Sequence, residues 1–255
     1  PEGTYRGRLR IDGYDTPVDL VAAVTIRDGR VHVDYEGTSA ASPYGINVVL
    51  NFTTAYSVFG INCILAPDVP CNAGSLAPIS VSAPEGSILN VQRPFPVSAR
   101  HTVGQMLPDL MFNCLAQAVP ERVPAEGAGT MWNPMLRGGR SAVDPESAAS
   151  GRVTADFDSI LFNTGGTGAR PSLDGLSTVA FPSGVRTVPS EVVESTTPIV
   201  VWRKEFREGS GGAGERRGGL GQVLELGVRD DAAFSIAAMF ERTGHPAKGR
   251  AGGRD

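Results

Sequence analysis

Metal chemistry needs hard oxygens or imidazoles brought together from separate elements. With three histidines in 255 residues, the places for it are few. His101 stands beside Arg100, just ahead of an amphipathic stretch. Asp34 closes an alternating segment next to the turn Gly37-Thr38-Ser39. Glu126 lies in Pro124-Ala125-Glu126-Gly127-Ala128-Gly129, directly after the stretch that His101 precedes. An Asp/His/Glu set with open positions would suit a divalent ion and a water activated on it. No HExxH spacing accompanies these residues, so two plainer readings stand beside the metal. Asp34 is also a turn-capping carboxylate, and His101 also a contact at a helix N-terminus. His32 is expected to face a partner strand or solvent. His245, among Arg242, Pro246, Lys248 and Arg250, is expected on a surface loop.

Two glycine-rich segments carry fixed charges: residues 165–175 (GGTGARPSLDG) and 209–221 (GSGGAGERRGGLG). Glycine lets a chain turn through φ > 0 and lets two backbones approach closely, at a cost in chain entropy. Such loops cradle phosphate or carboxylate through backbone N–H groups. They equally make tight β turns whose arginines, Arg170, Arg216 and Arg217, pair with acidic neighbours. The first segment lacks the third glycine of GxGxxG, and GxxxxGK[ST] is absent from the chain. A GxSxG nucleophile elbow is also absent. Cys71, beside Asn72, could be a nucleophile, but nothing in the sequence marks its base.

The elements that must position these residues are mostly strands. Residues 20–26 and 31–35 alternate apolar and polar around Asp28-Gly29, a strong hairpin signal. Val31, Val33 and Tyr35 then share one face, and His32 and Asp34 the other. Residues 46–66 read as a helix packed on a sheet. Residues 67–96 are studded with proline and hold short strands near 79–81 and 88–89, with Pro94 and Pro96 excluding a central strand. Thr102 followed by Gln105 resembles a capping box opening a prominent amphipathic helix near 102–119. Pro108 should kink that helix or delay its start by a turn, and Pro120 should stop it. Residues 124–188 read as irregular β structure, with a short helical turn at 189–194. Strands are expected at 199–206 and 222–228, flanking the second glycine loop, and again at 232–240. The fold class is α+β with strand in excess.

The apolar share of 41% can supply a core. A net charge of −4 without a basic stripe excludes nucleic acid as an expected partner. No apolar run reaches membrane-spanning length. Three cysteines without a CxxC point to buried thiols and a reducing cytoplasm rather than a disulfide framework. The first and last residues lack an initiator Met, a signal pattern and a natural stop, so the chain reads as a segment of a longer one.

Several of these residues together resemble the hydantoinase B/oxoprolinase family. The resemblance is carried by Val33-Asp34-Tyr35-Glu36-Gly37-Thr38-Ser39, by Pro70-Cys71-Asn72-Ala73-Gly74, and by Pro84-Glu85-Gly86-Ser87-Ile88-Leu89-Asn90. Val97-Ser98-Ala99-Arg100-His101-Thr102, both glycine segments and Pro189-Ser190-Glu191 with Glu194 continue it in family order. The whole of 1–255 then corresponds to a partial domain, truncated at both ends and matching the C-terminal part of the family's B-type component. The resemblance implies an ATP-dependent hydrolase of cyclic amides working as a hetero-oligomer. An A-type, actin-like ATPase partner would bind ATP and phosphorylate the ring carbonyl oxygen. This chain would then add water with the help of a divalent transition metal, Zn, Mn or Fe. Asp34 and His101 fall on two family metal positions and Glu126 on the third. Arg100, Arg170 or Asn72 would hold the phosphorylated oxygen, since arginine suits phosphate. Asp174 would orient that arginine or act as a base. Two other readings accompany this one: the α component of an acetone-carboxylase-type enzyme, and a scaffold whose glycine loops only dock the ATPase.

Overall fold

The computed structural model describes residues 1–139, 146, 155–229 and 233–255. It opens with a four-stranded sheet in the order β1-β2-β3-β4. β1 (Gly3–Ile11), β2 (Val18–Arg27) and β3 (Arg30–Asp34) run antiparallel, and β4 (Ile79–Ser82) joins β3 in parallel. Alternation decides which face is buried. Leu9, Ile11, Leu20, Val24 and Val33 point into the core, while Arg6, Arg8 and Arg10 point away. The hairpin expected at Asp28-Gly29 is present, with φ of 49° and 69° at its two central residues, as a type I′ turn requires. β1 escapes the sequence reading: its three arginines and two glycines mask a half-buried period of two. Gly7 is needed there because a Cβ would come within 2.8 Å of Cys114 Sγ.

α1 (Leu50–Leu65) and α4 (Leu107–Leu115) cover the inner face of that sheet. The expected helix at 46–66 begins later: residues 46–49 are not helical, Val49 is extended, and Ile46 and Val48 are buried in the core. Gly60 lets α1 approach α4: a Cβ would sit 2.8 Å from Pro108 Cα. Tyr35, fully buried, shares a 2.5 Å hydrogen bond with Ser57 on α1.

The helix expected near 102–119 is divided. α3 (His101–Gly104) ends at Gln105, and α4 starts at Leu107 with Pro108 in its first turn. A proline lacks the N–H that a continuous helix would need there but fits an N-terminal turn. The capping-box reading is corrected: Arg100 precedes the first helical residue and gives no side-chain cap. The Thr102 hydroxyl instead donates to Met239 Sδ at 3.4 Å, and Gln105 Oε1 accepts from Thr130 Oγ1 at 3.3 Å. A 3-10 turn at Pro120–Arg122 closes the helical region.

α2 (Ala73–Leu76) is a single turn before β4. The strand expected near 88–89 is corrected: Ile88 and Leu89 are fully buried within a turn, and pairing is limited to an isolated bridge between Ala40 and Ser87. The second half holds β5 (Met135–Gly138) between β6 (Phe157–Ile160) and β9 (Phe234–Ala237), all antiparallel. β9 is shorter than the strand expected at 232–240, of which Ala232 lies outside the described residues. α5 (Ser190–Thr196) packs on a ribbon of β7 (Ile199–Phe206) and β8 (Gln222–Val228), the two strands expected around the second glycine segment. Leu136, Leu161, Val193 and Ile199 form this half's own small core. The class is α+β. The three cysteines are unpaired, and Cys71 is exposed rather than buried as expected. Among the described residues no helix is long and apolar enough to cross a membrane.

Candidate functional site

The two glycine segments meet. Gly219 N donates to Thr167 O at 2.9 Å, Thr178 N to Leu220 O at 2.9 Å, and Gly175 N to Arg217 O at 2.7 Å. Residues 124–129 join from the other side, with Ala128 N donating to Gly166 O at 2.9 Å and Ala125 N to Ala169 O at 2.8 Å. The glycines make this stack possible by lacking a side chain. A Cβ on Gly166 would collide with Gly219 O, and one on Gly168 with Ala125 O. Two side chains lock the layers: Asp174 Oδ1 accepts from Arg217 N at 2.9 Å, and Ser177 Oγ accepts from Leu220 N at 3.0 Å. The glycines of residues 165–175 all avoid positive φ, so close approach rather than turn geometry is their use here.

The stack forms one wall of a cleft of about 1190 Å³. Trp132, Leu224, Leu226, Ile236 and Phe240 supply the apolar part of the lining. Trp132 and Phe240 stack with ring centroids 4.6 Å apart. Basic side chains outnumber acidic ones along the lining, among them Arg170, Arg207, Arg216, Lys248 and Arg250. Such a cleft takes a small molecule, with few polar groups fixing its orientation.

Two lining residues, Glu126 and Arg242, belong to a buried ion cluster. Arg242 donates to Glu126 Oε2 at 2.7 Å and to Asp109 Oδ2 at 2.9 Å, all three side chains being almost wholly shielded from solvent. Asn113 Nδ2 donates to Glu126 Oε1 at 2.7 Å and Lys248 N to Glu126 Oε2 at 3.1 Å. Gly127 N reaches Asp109 Oδ2 at 3.3 Å. Burial pushes the Asp109 carboxyl up to about 6 despite the pull of Arg242, with Glu126 adding to the rise. Arg242 has φ of 65°, a left-handed conformation rare outside glycine. The segment carrying it is anchored on both sides. Glu241, fully buried, accepts from Asp12 N at 2.9 Å and Gly13 N at 3.1 Å. Asp12 in return accepts from Thr243 N at 2.7 Å and His245 N at 2.8 Å, and pairs with His245 Nδ1 at 2.8 Å. Burial raises Asp12, but donors from Thr243, His245 and Gly244 outweigh it and hold the carboxyl well below the usual range.

The profile of the family described as hydantoinase B/oxoprolinase matches residues 1–255. The chain belongs to that family. It is 31% identical over 254 residues to the B-type component of a putative D-/L-hydantoinase from a Pseudomonas species, covering 93% of this chain and 40% of the relative. The crystal structure of the ATP-dependent caprolactamase from Pseudomonas jessenii superposes with a TM-score of 0.73 at 27% identity, covering 89% of this chain and 39% of that one. A nucleotide-free acetone carboxylase superposes with a TM-score of 0.77 over 97% of this chain and 34% of that one. At 21% identity this last likeness concerns the fold alone. The chain spans less than half the length of the curated relatives it matches.

Against the family resemblance, the structure separates the residues singled out in the sequence. Glu126 and Arg170 line the cleft; Asp34, Asn72, Arg100, His101 and Asp174 are not on its lining. Asp34, His101 and Glu126 do not fit a shared divalent ion. Among the described residues no three His, Cys, Asp or Glu side chains converge as ligands. Both Glu126 oxygens are taken by Asn113, Arg242 and Lys248 N. Asp34 Oδ1 accepts from Glu36 N at 3.1 Å and Ser82 Oγ at 3.4 Å, a turn-capping carboxylate. His101 is half-buried, and burial, helped by Arg100, lowers its pKa so that it favours the neutral form. Arg100 lies over the Phe52 ring at 5.4 Å.

Asn72 caps α2, its Oδ1 accepting from Gly74 N at 2.9 Å and Ser75 N at 3.1 Å. Asp174 does position Arg170, but through its main-chain carbonyl, which accepts from Arg170 Nε at 2.9 Å. His32, exposed, bonds across to Ser80 and Ser82 on β4. His245 is half-buried against Asp12, not a free surface residue. Sequence reasoning missed Asp109, Arg242, Glu241 and Asp12. Their one local signal is the Glu241-Arg242 pair, since the contacts that join them to Asp12, Asp109, Glu126 and His245 span 116 to 233 residues of chain.

Proposed function

We propose that the cleft is the substrate site of the B-type component of an ATP-dependent cyclic amidase. The observation that carries this reading is the position of the cleft in a hydantoinase B/oxoprolinase chain. Its lining combines glycine main chain and arginines with the apolar side chains of Trp132, Ile236 and Phe240. Two relatives bear the names of parts of larger enzymes, the B component of a hydantoinase and the beta component of a caprolactamase. Those names support an A-type, ATP-binding partner in a hetero-oligomer.

The amide carbonyl resists water because resonance strengthens its C–N bond. Transfer of the γ-phosphoryl group of ATP to the carbonyl oxygen, on the partner, makes that oxygen a leaving group. Water then adds to the carbon, the C–N bond breaks as the nitrogen leaves protonated, and a second water hydrolyses the resulting acyl phosphate to the carboxylate and inorganic phosphate. This chain's part is to hold and desolvate the ring. Trp132, Ile236 and Phe240 exclude bulk water from the apolar edge, and Arg170 offers charge to the activated oxygen.

The reconstituted complex should open a cyclic amide drawn from hydantoin, 5-oxoproline and caprolactam, with stoichiometric ADP release, and Trp132→Ala should raise KM. Ring opening independent of ATP would overturn the reading. So would fixation of labelled bicarbonate onto a ketone without any ring opening.

A further inference from the structure

Arg250 lies half-buried on the cleft lining, and its Nε is shielded from solvent without a hydrogen-bond partner among the described residues. Buried donors are normally satisfied, and a charged donor left without an acceptor is costly. The two carboxylates whose charges act on it do not meet this need. Glu126 is occupied by Asn113, Arg242 and Lys248 N, and Asp109 Oδ2 by Arg242 and Gly127 N. They act on Arg250 only at a distance: burial lowers its pKa while the charges of Glu126 and Asp109 oppose the change. The surrounding lining is richer in basic than acidic side chains, on a chain whose net charge is −4. The same lining holds the apolar side chains of Trp132, Ile236 and Phe240, with Trp132 and Phe240 stacked on each other.

We propose that Arg250 is the anion-recognition residue of the cleft. It takes an oxyanion group on a small molecule whose apolar skeleton lies against Trp132 and Phe240. A guanidinium fork fits a carboxylate and a phosphate alike. The two sources are the carboxylate of a ring-opened product and the phosphate of an activated ring, so the inference rests on the amidase reading of the same cleft.

The test is titration calorimetry on the full-length protein with three probes: inorganic phosphate, acetate and hexanoate. One equivalent of phosphate or hexanoate is expected to bind. Preference for phosphate identifies the activated ring as the source. Preference for hexanoate, with acetate weaker, identifies the carboxylate. Arg250→Gln should weaken binding at least about tenfold, a loss within the range expected for a charged hydrogen bond. Arg30→Gln, on the exposed hairpin, should change nothing. Binding of no probe, or equal binding by Arg250→Gln and wild type, overturns the proposal.

If Arg250→Gln does not fold, wild-type protein is treated with phenylglyoxal and Arg250 followed by mass spectrometry. Protection by phosphate or hexanoate supports the assignment, and unchanged modification overturns it. The two readings fail separately. Ring opening with unaltered anion binding in Arg250→Gln removes this inference alone. Anion binding lost in that variant, with no ring opening by wild type, removes the amidase alone.

Discussion

Arg242 shows why a buried charge is better judged by its removal than by its presence. Two acids, Asp109 and Glu126, share its guanidinium out of contact with solvent. Desolvating all three offsets most of their attraction, so the cluster adds little net stability. Taking Arg242 away leaves two uncompensated carboxylates. Arg242→Met should therefore cost about 3–5 kcal/mol, read as a lower urea midpoint. The triple variant Asp109→Asn, Glu126→Gln, Arg242→Met should recover most of that loss. A single variant as stable as wild type would show that the cluster is already hydrated. None of this is legible in the sequence, where Arg242 follows Glu126 by 116 residues. Asp109 reads there as one more polar position on a helix, although it is almost wholly buried. Glu126 does stand out in the sequence, but for a ligand's role that its three donors leave no room for.

At the scale of elements, signals that depend only on neighbours are readable, and those that depend on distant partners are not. The Asp28-Gly29 hairpin, β7 and β8 follow from alternation and turn chemistry. The break between α3 and α4 is half-readable: Pro108 announces it, but the start at His101 has no side-chain cap to mark it, and the Thr102 hydroxyl bonds to Met239, 137 residues away. The glycine segments announce themselves by composition, while their use, stacking main chain on main chain, needs the partner segments. That use makes a sharp prediction. Gly166→Ala or Gly219→Ala places a Cβ against a backbone carbonyl, of Gly219 and Leu176 respectively. Each should destabilise by about 1–3 kcal/mol and lower turnover by displacing the cleft wall. Gly221→Ala, with only a 3.7 Å contact to Ser210 Oγ, should be close to neutral. Thermal unfolding and turnover of the three variants side by side decide it; equal behaviour would mean the stack tolerates separation.

For the molecule as a whole, acidity reads out the link between residues 12–13 and 241–245. Burial lifts Glu241 from 4.5 to about 7, against the two amides it accepts from and with the charge of Asp12 adding to the rise. Its folded value exceeds its unfolded one, so between those values the folded chain binds more protons. The stability tied to this carboxyl is therefore fully present below pH 4.5 and is lost as pH rises through about 7. Asp12 works in the opposite direction, its contribution being lost on strong acidification. Unfolding free energy measured from pH 5 to 8 should fall with rising pH, and Glu241→Gln should flatten that slope; an unchanged slope would place the proton elsewhere. The same link governs how this chain exchanges parts with its relatives. Asp12 is held by Thr243 and His245, and Glu241 holds Asp12 and Gly13. A chimera with one crossover between residues 13 and 240 inherits half of the clasp from each parent, so functional recombinants should come from double crossovers that move both halves together.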